Sequence, residues 1–130
     1  MTEHTSTICI IEDNAAIRKL FSVILKKNGF AIVEFEEGTS AMAWLRENMP
    51  TAVLCDDILP DINGRDIIKL IRQFPGGKRF CVIATTGFAL VADRDRYIAL
   101  GFDGYISKPI NTMTFTEEIR EVIASKASAT

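Results

Sequence analysis

The sequence of 130 residues lacks several features that would assign it to a common class of protein. Its net charge is −2, so it has no basic excess to support nucleic-acid binding. No apolar run approaches the length of a membrane span, and residues 1–7 have neither the basic start nor the apolar segment of a signal peptide. We therefore expect a cytoplasmic protein that binds neither nucleic acid nor membrane.

Motifs that mark metal or nucleotide sites are also missing. Cys9, Cys55 and Cys81 contain no C-x-x-C pair and each lies in an apolar run, so we expect reduced, buried thiols. The single histidine, His4, lies in a polar segment and is a poor ligand candidate. No G-x-G-x-x-G follows the first predicted strand, which disfavours dinucleotide binding. With no repeat or linker visible, we expect one domain over residues 1–130, with an ordered core at about 7–125.

What the sequence does contain is a regular alternation of short apolar runs and helical segments. The runs at 7–11, 30–35, 52–55, 80–85 and 104–107 have the length and composition of strands. The clearest amphipathic helix follows Asn14, a candidate N-cap, and stops at Asn28 and Gly29. The helix predicted at about 90–100 has the weakest pattern, and we expect it to be the least firmly packed. The alternation predicts an α/β fold: a doubly wound (βα)5 arrangement around a five-stranded parallel sheet.

The run at 52–55 organises the rest of the chain. It is bounded by prolines and glycine and has the composition of a strand buried on both faces. It ends on Asp56 and Asp57, and the carboxyl end of such a strand is where ligands bind in an open α/β sheet. A turn-rich loop up to Gly64 follows, in which we expect Asp61 and Asn63 only to shape the turn.

Polar residues follow other strands at the same point. In a parallel sheet the carboxyl ends share one edge, which would collect Glu12, Asp13, Asp56, Thr86 and Lys108. Two carboxylates about 4 Å apart repel by roughly 4 kcal/mol at an effective dielectric near 20, so such a cluster needs a cation. Few carboxylates with several waters suit Mg²⁺. Taken singly, each residue has an ordinary structural explanation; together they suit a phosphoryl group on one aspartate.

Four segments, at residues 10–14, 55–64, 84–87 and 104–109, each lie at the end of a predicted strand. Together they resemble the response-regulator receiver domain of two-component signalling and are similar to its single-domain chemotaxis type. The resemblance covers about residues 7–125 and implies a flavodoxin-like strand order of 2-1-3-4-5. It also implies a signalling switch of a two-component system or phosphorelay, not an enzyme.

The resemblance implies a role for each site residue. Asp56, four residues before Pro60 and eight before Gly64, would be the phosphoacceptor. Thr86 would bond the phosphoryl group and Lys108 would pair with it. The implied Mg²⁺ ligands are Glu12, Asp13, Asp56 and the backbone carbonyl of Ile58.

The implied switch passes a signal to other proteins. A histidine kinase or a histidine phosphotransfer protein would supply the phosphoryl group. Tyr105 would turn inward as Thr86 moves and remodel the face formed by helix 4, strand 5 and helix 5. Because no output domain is visible after Thr130, we expect a separate target protein. The resemblance also implies a cis peptide bond between Lys108 and Pro109.

Two residues depart from the receiver pattern or leave a choice open. Asp57 stands where the family usually has an apolar residue and could compete as acceptor, although strand alternation should point it away from Asp56. Thr85 could take the role of Thr86, which we prefer because Gly87 follows it. Apolar Ile58 and Phe88, each two residues beyond a site residue, predict a long-lived phosphoaspartate because they would hinder an attacking water.

Two other functions remain open at this stage. A haloacid-dehalogenase-like phosphohydrolase also uses an aspartyl phosphate with Mg²⁺, but would want an Asp-x-Asp motif on the first strand and residues for a cap domain. Strand one ends instead on Glu12, Asp13 and Asn14. The third possibility is a receiver that serves as a phosphorylation-independent interaction module.

Overall fold

Strands and helices alternate along the chain in the computed structural model, which describes residues 6–87 and 93–128. The strands are β1 (Thr7–Ile11), β2 (Ala31–Phe35), β3 (Ala52–Asp56), β4 (Val82–Thr86) and β5 (Gly104–Ser107). The helices are α1 (Ala15–Lys27), α2 (Gly38–Leu45), α3 (Gly64–Gln73), α4 (Asp93–Leu100) and α5 (Phe115–Ser128). The start predicted for α4, at about residue 90, lies outside the described residues.

The five strands form one parallel sheet in the order β2-β1-β3-β4-β5, which confirms the predicted α/β architecture and strand order. The register brings the strand ends together. Ile11 at the end of β1 pairs with Cys55, and Asp56 at the end of β3 pairs with Thr85. The polar residues that follow these strands therefore meet at one edge of the sheet.

Two apolar layers cover the sheet. Alternate residues of the central strands, such as Ile10 and Leu54, pack with α1 and α5 on one face, where the rings of Phe21 and Phe115 lie 4.8 Å apart. The neighbouring residues, such as Cys9 and Val53, pack with α2, α3 and α4 on the other. This double burial explains the continuous apolar strands, and each fully buried Leu, Ile or Phe side chain contributes about 1.5–3 kcal/mol.

The thiols are buried as predicted. Cys9, Cys55 and Cys81 are all free. Burial raises the pKa of the Cys9 and Cys81 thiols to about 12, so they stay protonated at neutral pH. Within the described ranges, no helix combines the length and the hydropathy that a membrane span requires.

Polar side chains start the helices next to the carboxyl edge of the sheet. The Asn14 side chain accepts from the Ile17 N–H at 3.0 Å, which confirms the predicted cap of α1. The expectation that Asp61 and Asn63 only shape the turn was wrong. Asn63 caps α3 by accepting from the Asp66 N–H at 3.1 Å.

Asp61 contacts the start of α2, which lies 22 residues earlier in the sequence. Its carboxylate accepts from the backbone N–H groups of Gly38 and Thr39 at 2.9 and 2.8 Å and from the Thr39 hydroxyl. The carboxylate thus satisfies the first N–H groups of α2, a task that the Glu37 side chain does not perform. This remote cap explains why α2 begins at Gly38.

The loop after β3 turns tightly because it contains glycine. A Cβ atom at Gly64 would lie 2.9 Å from the carbonyl oxygen of Asp56 and 3.1 Å from the Cα of Asp57. Any larger residue would push against the backbone that carries both aspartates. Gly64 therefore sets how closely α3 approaches the end of β3.

Candidate functional site

An open cavity of about 340 Å³ lies at the carboxyl edge of the sheet. Residues from the ends of β1, β3, β4 and β5 line it, although they are far apart in the sequence. The site residues predicted from the sequence, Tyr105 excepted, are all among them. The lining residues are Glu12, Asp13, Asn14, Ile17, Asp56, Asp57, Ile58, Thr86, Gly87 and Lys108.

Lys108 joins two of the carboxylates. Its Nζ lies 2.7 Å from Glu12 Oε1 and 3.2 Å from Asp56 Oδ1. Glu12 and Asp56 are both buried, with 1% and 6% of their surface exposed, so neither charge is solvated by bulk water. The ammonium group is the counter-ion that such a pair requires. The peptide bond that follows, from Lys108 to Pro109, is cis as predicted.

The protonation equilibria of the cavity reflect this burial. Removal from water, and then the nearby charge of Glu12, raise the pKa of Asp56 to about 7, although Lys108 acts in the opposite direction. Burial alone would lower the pKa of Lys108. Its hydrogen bond to Glu12 and the charges of both carboxylates outweigh that effect and raise it, so the ammonium form persists.

Backbone and side-chain donors orient the acids. The N–H of Asn14 donates to Glu12 Oε2 at 3.1 Å, and Arg18 donates to the Glu12 carbonyl oxygen at 2.7 Å. The N–H of Ile58 donates to Asp56 Oδ1 at 3.3 Å. The turn that begins α1 thus holds the Glu12 carboxylate, and the turn that follows β3 holds the Asp56 carboxylate.

The acids have the spacing of a metal site. Glu12, Asp13 and Asp56 each offer one carboxylate oxygen, and the three oxygens lie within 4.8 Å of one another. Asp13 is exposed, whereas the other two are buried. Three hard oxygen donors beside an open cavity match the preference of Mg²⁺, which keeps several waters. The predicted fourth ligand, the carbonyl of Ile58, stays a prediction, since only its N–H group has a defined contact.

The two threonines at the end of β4 differ in environment. Thr86 lines the cavity, and its carbonyl accepts from the Lys108 N–H at 2.7 Å, which joins the ends of β4 and β5. Thr85 does not line the cavity. Its hydroxyl is buried with no hydrogen-bond partner among the described residues. The position of Thr86 therefore suits contact with a bound oxyanion better.

A residue that sequence reasoning missed lies behind the cavity. Tyr97 of α4 is buried, and its hydroxyl lies 2.9 Å from Asp57 Oδ2 and 3.3 Å from Thr86 Oγ1. Its ring stacks on that of Tyr105, with centroids 5.7 Å apart. The one sequence signal was Asp57 itself, because an acid at a normally apolar position requires a partner.

The aspartates at the end of β3 therefore have different partners. Asp56 contacts Lys108, and Asp57 contacts Tyr97, although both line the cavity. Tyr105 is half-buried on β5, and its ring stacks on that of Tyr97, which contacts the cavity residues Asp57 and Thr86. The Ile58 side chain is 60% exposed at the cavity, while Phe88, the other residue expected to hinder water, lies outside the described residues.

Comparison with known proteins assigns the family. The family described as "Response regulator receiver domain" matches residues 8–120. The polar-differentiation response regulator DivK of Brucella ovis is 32% identical over 119 residues, which are 92% of this chain and 97% of DivK. DivK of Brucella anthropi is 32% identical over 117 residues, covering 90% and 95% of the two chains.

Solved structures of the same fold superpose closely. The receiver domain of a sensor histidine kinase from Pseudomonas aeruginosa, solved with magnesium in its active-site cleft, is 25% identical with a TM-score of 0.83, and the match covers 93% of this chain and 99% of that one. The chemotaxis response regulator CheY4 of Vibrio cholerae shares the fold at 20% identity, with a TM-score of 0.83 and coverage of 92% and 99%. With the fold, the acidic cavity and the matched residues in agreement, the chain belongs to the response-regulator receiver domains of two-component signalling.

Proposed function

We propose that this receiver domain is a switch that accepts a phosphoryl group on Asp56 from the phosphohistidine of a histidine kinase or a histidine phosphotransfer protein. One observation carries the proposal. The Asp56 carboxylate lies in an open cavity within 3.2 Å of the Lys108 ammonium, beside two further acids and the Thr86 side chain. No other aspartate of that cavity has a contact to Lys108 among the described residues.

Each cavity residue has its own role in the proposed phosphoryl transfer. An Asp56 oxygen attacks phosphorus, the bond from phosphorus to the histidine nitrogen breaks, and the imidazole leaves with that electron pair. Lys108 holds positive charge next to the attacking carboxylate, and the Thr86 hydroxyl donates to a phosphoryl oxygen. When held by Glu12, Asp13 and Asp56, Mg²⁺ supplies further positive charge to the phosphoryl oxygens.

The output of the switch is proposed to leave through the face formed by α4, β5 and α5. A groove of about 430 Å³ runs along this face, with half-buried Tyr105 in its wall. Ile98 and Val122 give it apolar surface, and Glu118 and Glu121 give it acidic surface. Movement of Tyr105 would change the shape of this groove and so its fit to a separate target protein. Complete switching, from 1:99 to 99:1, requires about 5.5 kcal/mol of differential stabilisation.

The buried cysteines bear on the compartment, and the cavity acids bear on the two rival functions. Three buried free thiols suit the reducing cytoplasm, which we propose as the location. A phosphohydrolase of the haloacid-dehalogenase type would use an acid at the end of β1, whereas the acceptor proposed here follows β3. A phosphorylation-independent interaction module would have no need for the ion-paired acids of the cavity.

Incubation with acetyl phosphate and Mg²⁺ separates the three functions. The switch predicts stoichiometric incorporation of one phosphoryl group per chain, measured by intact-mass spectrometry, and no sustained hydrolysis of an added phosphoester such as p-nitrophenyl phosphate. Sustained turnover of the phosphoester would identify an enzyme. The absence of any modification would identify the chain as a phosphorylation-independent interaction module.

A further inference from the structure

The side chain of Tyr97 contacts three residues at or near the cavity, namely Asp57, Thr86 and Tyr105. Its hydroxyl oxygen lies 2.9 Å from Asp57 Oδ2 and 3.3 Å from Thr86 Oγ1. Tyr97 and Thr86 are buried, with 7% and 1% of their surface exposed. Stacking of its ring on that of Tyr105, at an angle of 21°, completes the connection to β5.

The hydrogen-bond inventory of a phenol fixes the direction of these contacts. A tyrosine hydroxyl has one proton to donate and can accept with its lone pairs. The Tyr97 hydroxyl is the donor in both contacts, and the Asp57 carboxylate, as the closer atom and the stronger acceptor, orients it. Thr86 Oγ1 accepts from the same hydroxyl at the longer distance.

The contact between Tyr97 and Thr86 depends on where the Thr86 side chain lies. A move of the Thr86 hydroxyl toward a phosphoryl oxygen in the cavity would lengthen the 3.3 Å contact with the Tyr97 hydroxyl. Contact with Tyr97 therefore stabilises only the state in which Thr86 has not yet moved toward the phosphoryl group.

We infer that Tyr97, oriented by Asp57, is a positioning residue that restrains the Thr86 hydroxyl and thereby favours the unphosphorylated state. The inference rests on the proposed function. It gives Asp57 a role other than a second phosphoacceptor, since its carboxylate fixes the phenol that contacts Thr86. It also connects Thr86 to Tyr105, because the ring of Tyr97 stacks on that of Tyr105.

Affinity for beryllofluoride, which mimics a phosphoryl group on an aspartate, measures the restraint. With Mg²⁺ present, Tyr97→Phe removes the phenolic oxygen but keeps the ring that packs on Tyr105 and Phe102. Loss of one hydrogen bond that exists only in the resting state should tighten beryllofluoride binding about fivefold. Titration followed by NMR gives the affinity and shows whether each variant is folded.

Adding Tyr97→Phe to two other variants separates the loss of the Thr86 contact from a change in packing. In Thr86→Ala the threonine hydroxyl is absent, so adding Tyr97→Phe should change the affinity less than twofold. In Asp57→Leu, which restores the apolar residue usual in receivers, the phenol is no longer oriented and the effect of Tyr97→Phe should shrink. Comparison within each background cancels the effect that loss of the Asp57 charge has on anion binding.

The outcomes are distinguishable. Equal or weaker binding by Tyr97→Phe, while the wild type binds beryllofluoride, would refute the restraint and leave the proposed function standing. The same gain with and without the Thr86 hydroxyl would assign the effect to packing and would also refute it. A wild-type chain that binds no beryllofluoride at Asp56 would remove the proposed function and this inference with it.

Discussion

The ammonium of Lys108 lies closer to Glu12, at 2.7 Å, than to Asp56, at 3.2 Å. Both carboxylates are also candidate metal ligands. In this arrangement Lys108 neutralises the acids that Mg²⁺ would otherwise neutralise. The metal and the lysine therefore compete for the same two carboxylates, and removal of Lys108 should affect Mg²⁺ binding and phosphorylation in opposite directions.

Replacing Lys108 by methionine should strengthen Mg²⁺ binding and weaken phosphorylation. The loss of one positive charge a few ångströms from the acids is worth at least about 1 kcal/mol, or roughly fivefold in Mg²⁺ affinity. Phosphorylation by acetyl phosphate at saturating Mg²⁺ should slow at least tenfold, because the lysine no longer stabilises the developing charge. Calorimetric titration and intact-mass time courses measure the two effects.

Lys126→Met is the matched control for this substitution. Lys126 forms an ion pair of similar length, 3.0 Å, with Asp103 away from the cavity. Its loss should leave Mg²⁺ affinity within twofold. Weaker Mg²⁺ binding by Lys108→Met than by the control would show that the lysine does not compete with the metal.

The raised pKa of Asp56 predicts how pH acts on the metal-free protein. The folded-state value is about 7 and the reference value is 3.8, so folding favours the protonated acid. This contribution to stability is complete below about pH 4 and is lost as the pH rises through 7. The free energy of unfolding of the wild type, relative to Asp56→Asn, should therefore decrease between pH 4 and pH 7.5. A difference that stays constant, or that increases with pH, in urea titrations without divalent ions would contradict the assignment.

Asp61 should show the opposite pH dependence. The Thr39 hydroxyl, together with the Thr39 and Gly38 N–H groups, lowers the pKa of Asp61 to about 2. Its stabilisation is present above about pH 4 and is lost as the pH falls through 2. Because the contact is exposed, Asp61→Ala should cost about 0.5–1 kcal/mol at pH 7, the low end for a helix cap. A cost that is unchanged at pH 2 in thermal or denaturant unfolding would show that the charge has no part in it.

Arg72 should contribute far more to stability than an exposed arginine of the same helix. Its guanidinium donates to the carbonyls of Gly77, Phe80 and Gly101 and to the Asp103 carboxylate, at 2.6–3.1 Å. Arg72→Met would remove a charged donor from all four of these partly buried acceptors, at a cost of about 3 kcal/mol.

Arg65→Met provides the comparison, because Arg65 is exposed on the same helix. Surface substitutions of this kind stay within about 0.5 kcal/mol. Urea denaturation of both variants gives the two costs. Equal costs would show that the Arg72 contacts contribute nothing beyond the charge.

The fold and the convergence of acids could be predicted because both depend on local patterns. Apolar runs locate the strands, and parallel strands place their carboxyl ends at one edge, so Glu12, Asp56 and Lys108 were expected to meet. The contacts of Asp61, Tyr97 and Arg72 could not be predicted in this way. The contacts of Asp61 with Thr39, of Tyr97 with Asp57 and of Arg72 with Gly101 join residues at least 22 apart in the sequence, and no local pattern encodes such a contact. The weak apolar pattern of α4 hid Tyr97 in particular, since nothing in it shows which residue faces inward.

The most direct test of the switch is to locate the phosphoryl group. Wild type, Asp56→Asn and Asp57→Asn are incubated with acetyl phosphate and Mg²⁺, trapped by borohydride reduction and mapped by peptide mass spectrometry. We expect modification at Asp56 in the wild type and in Asp57→Asn, and none in Asp56→Asn. Modification of Asp56→Asn at Asp57, or of the wild type at any residue other than Asp56, would contradict it.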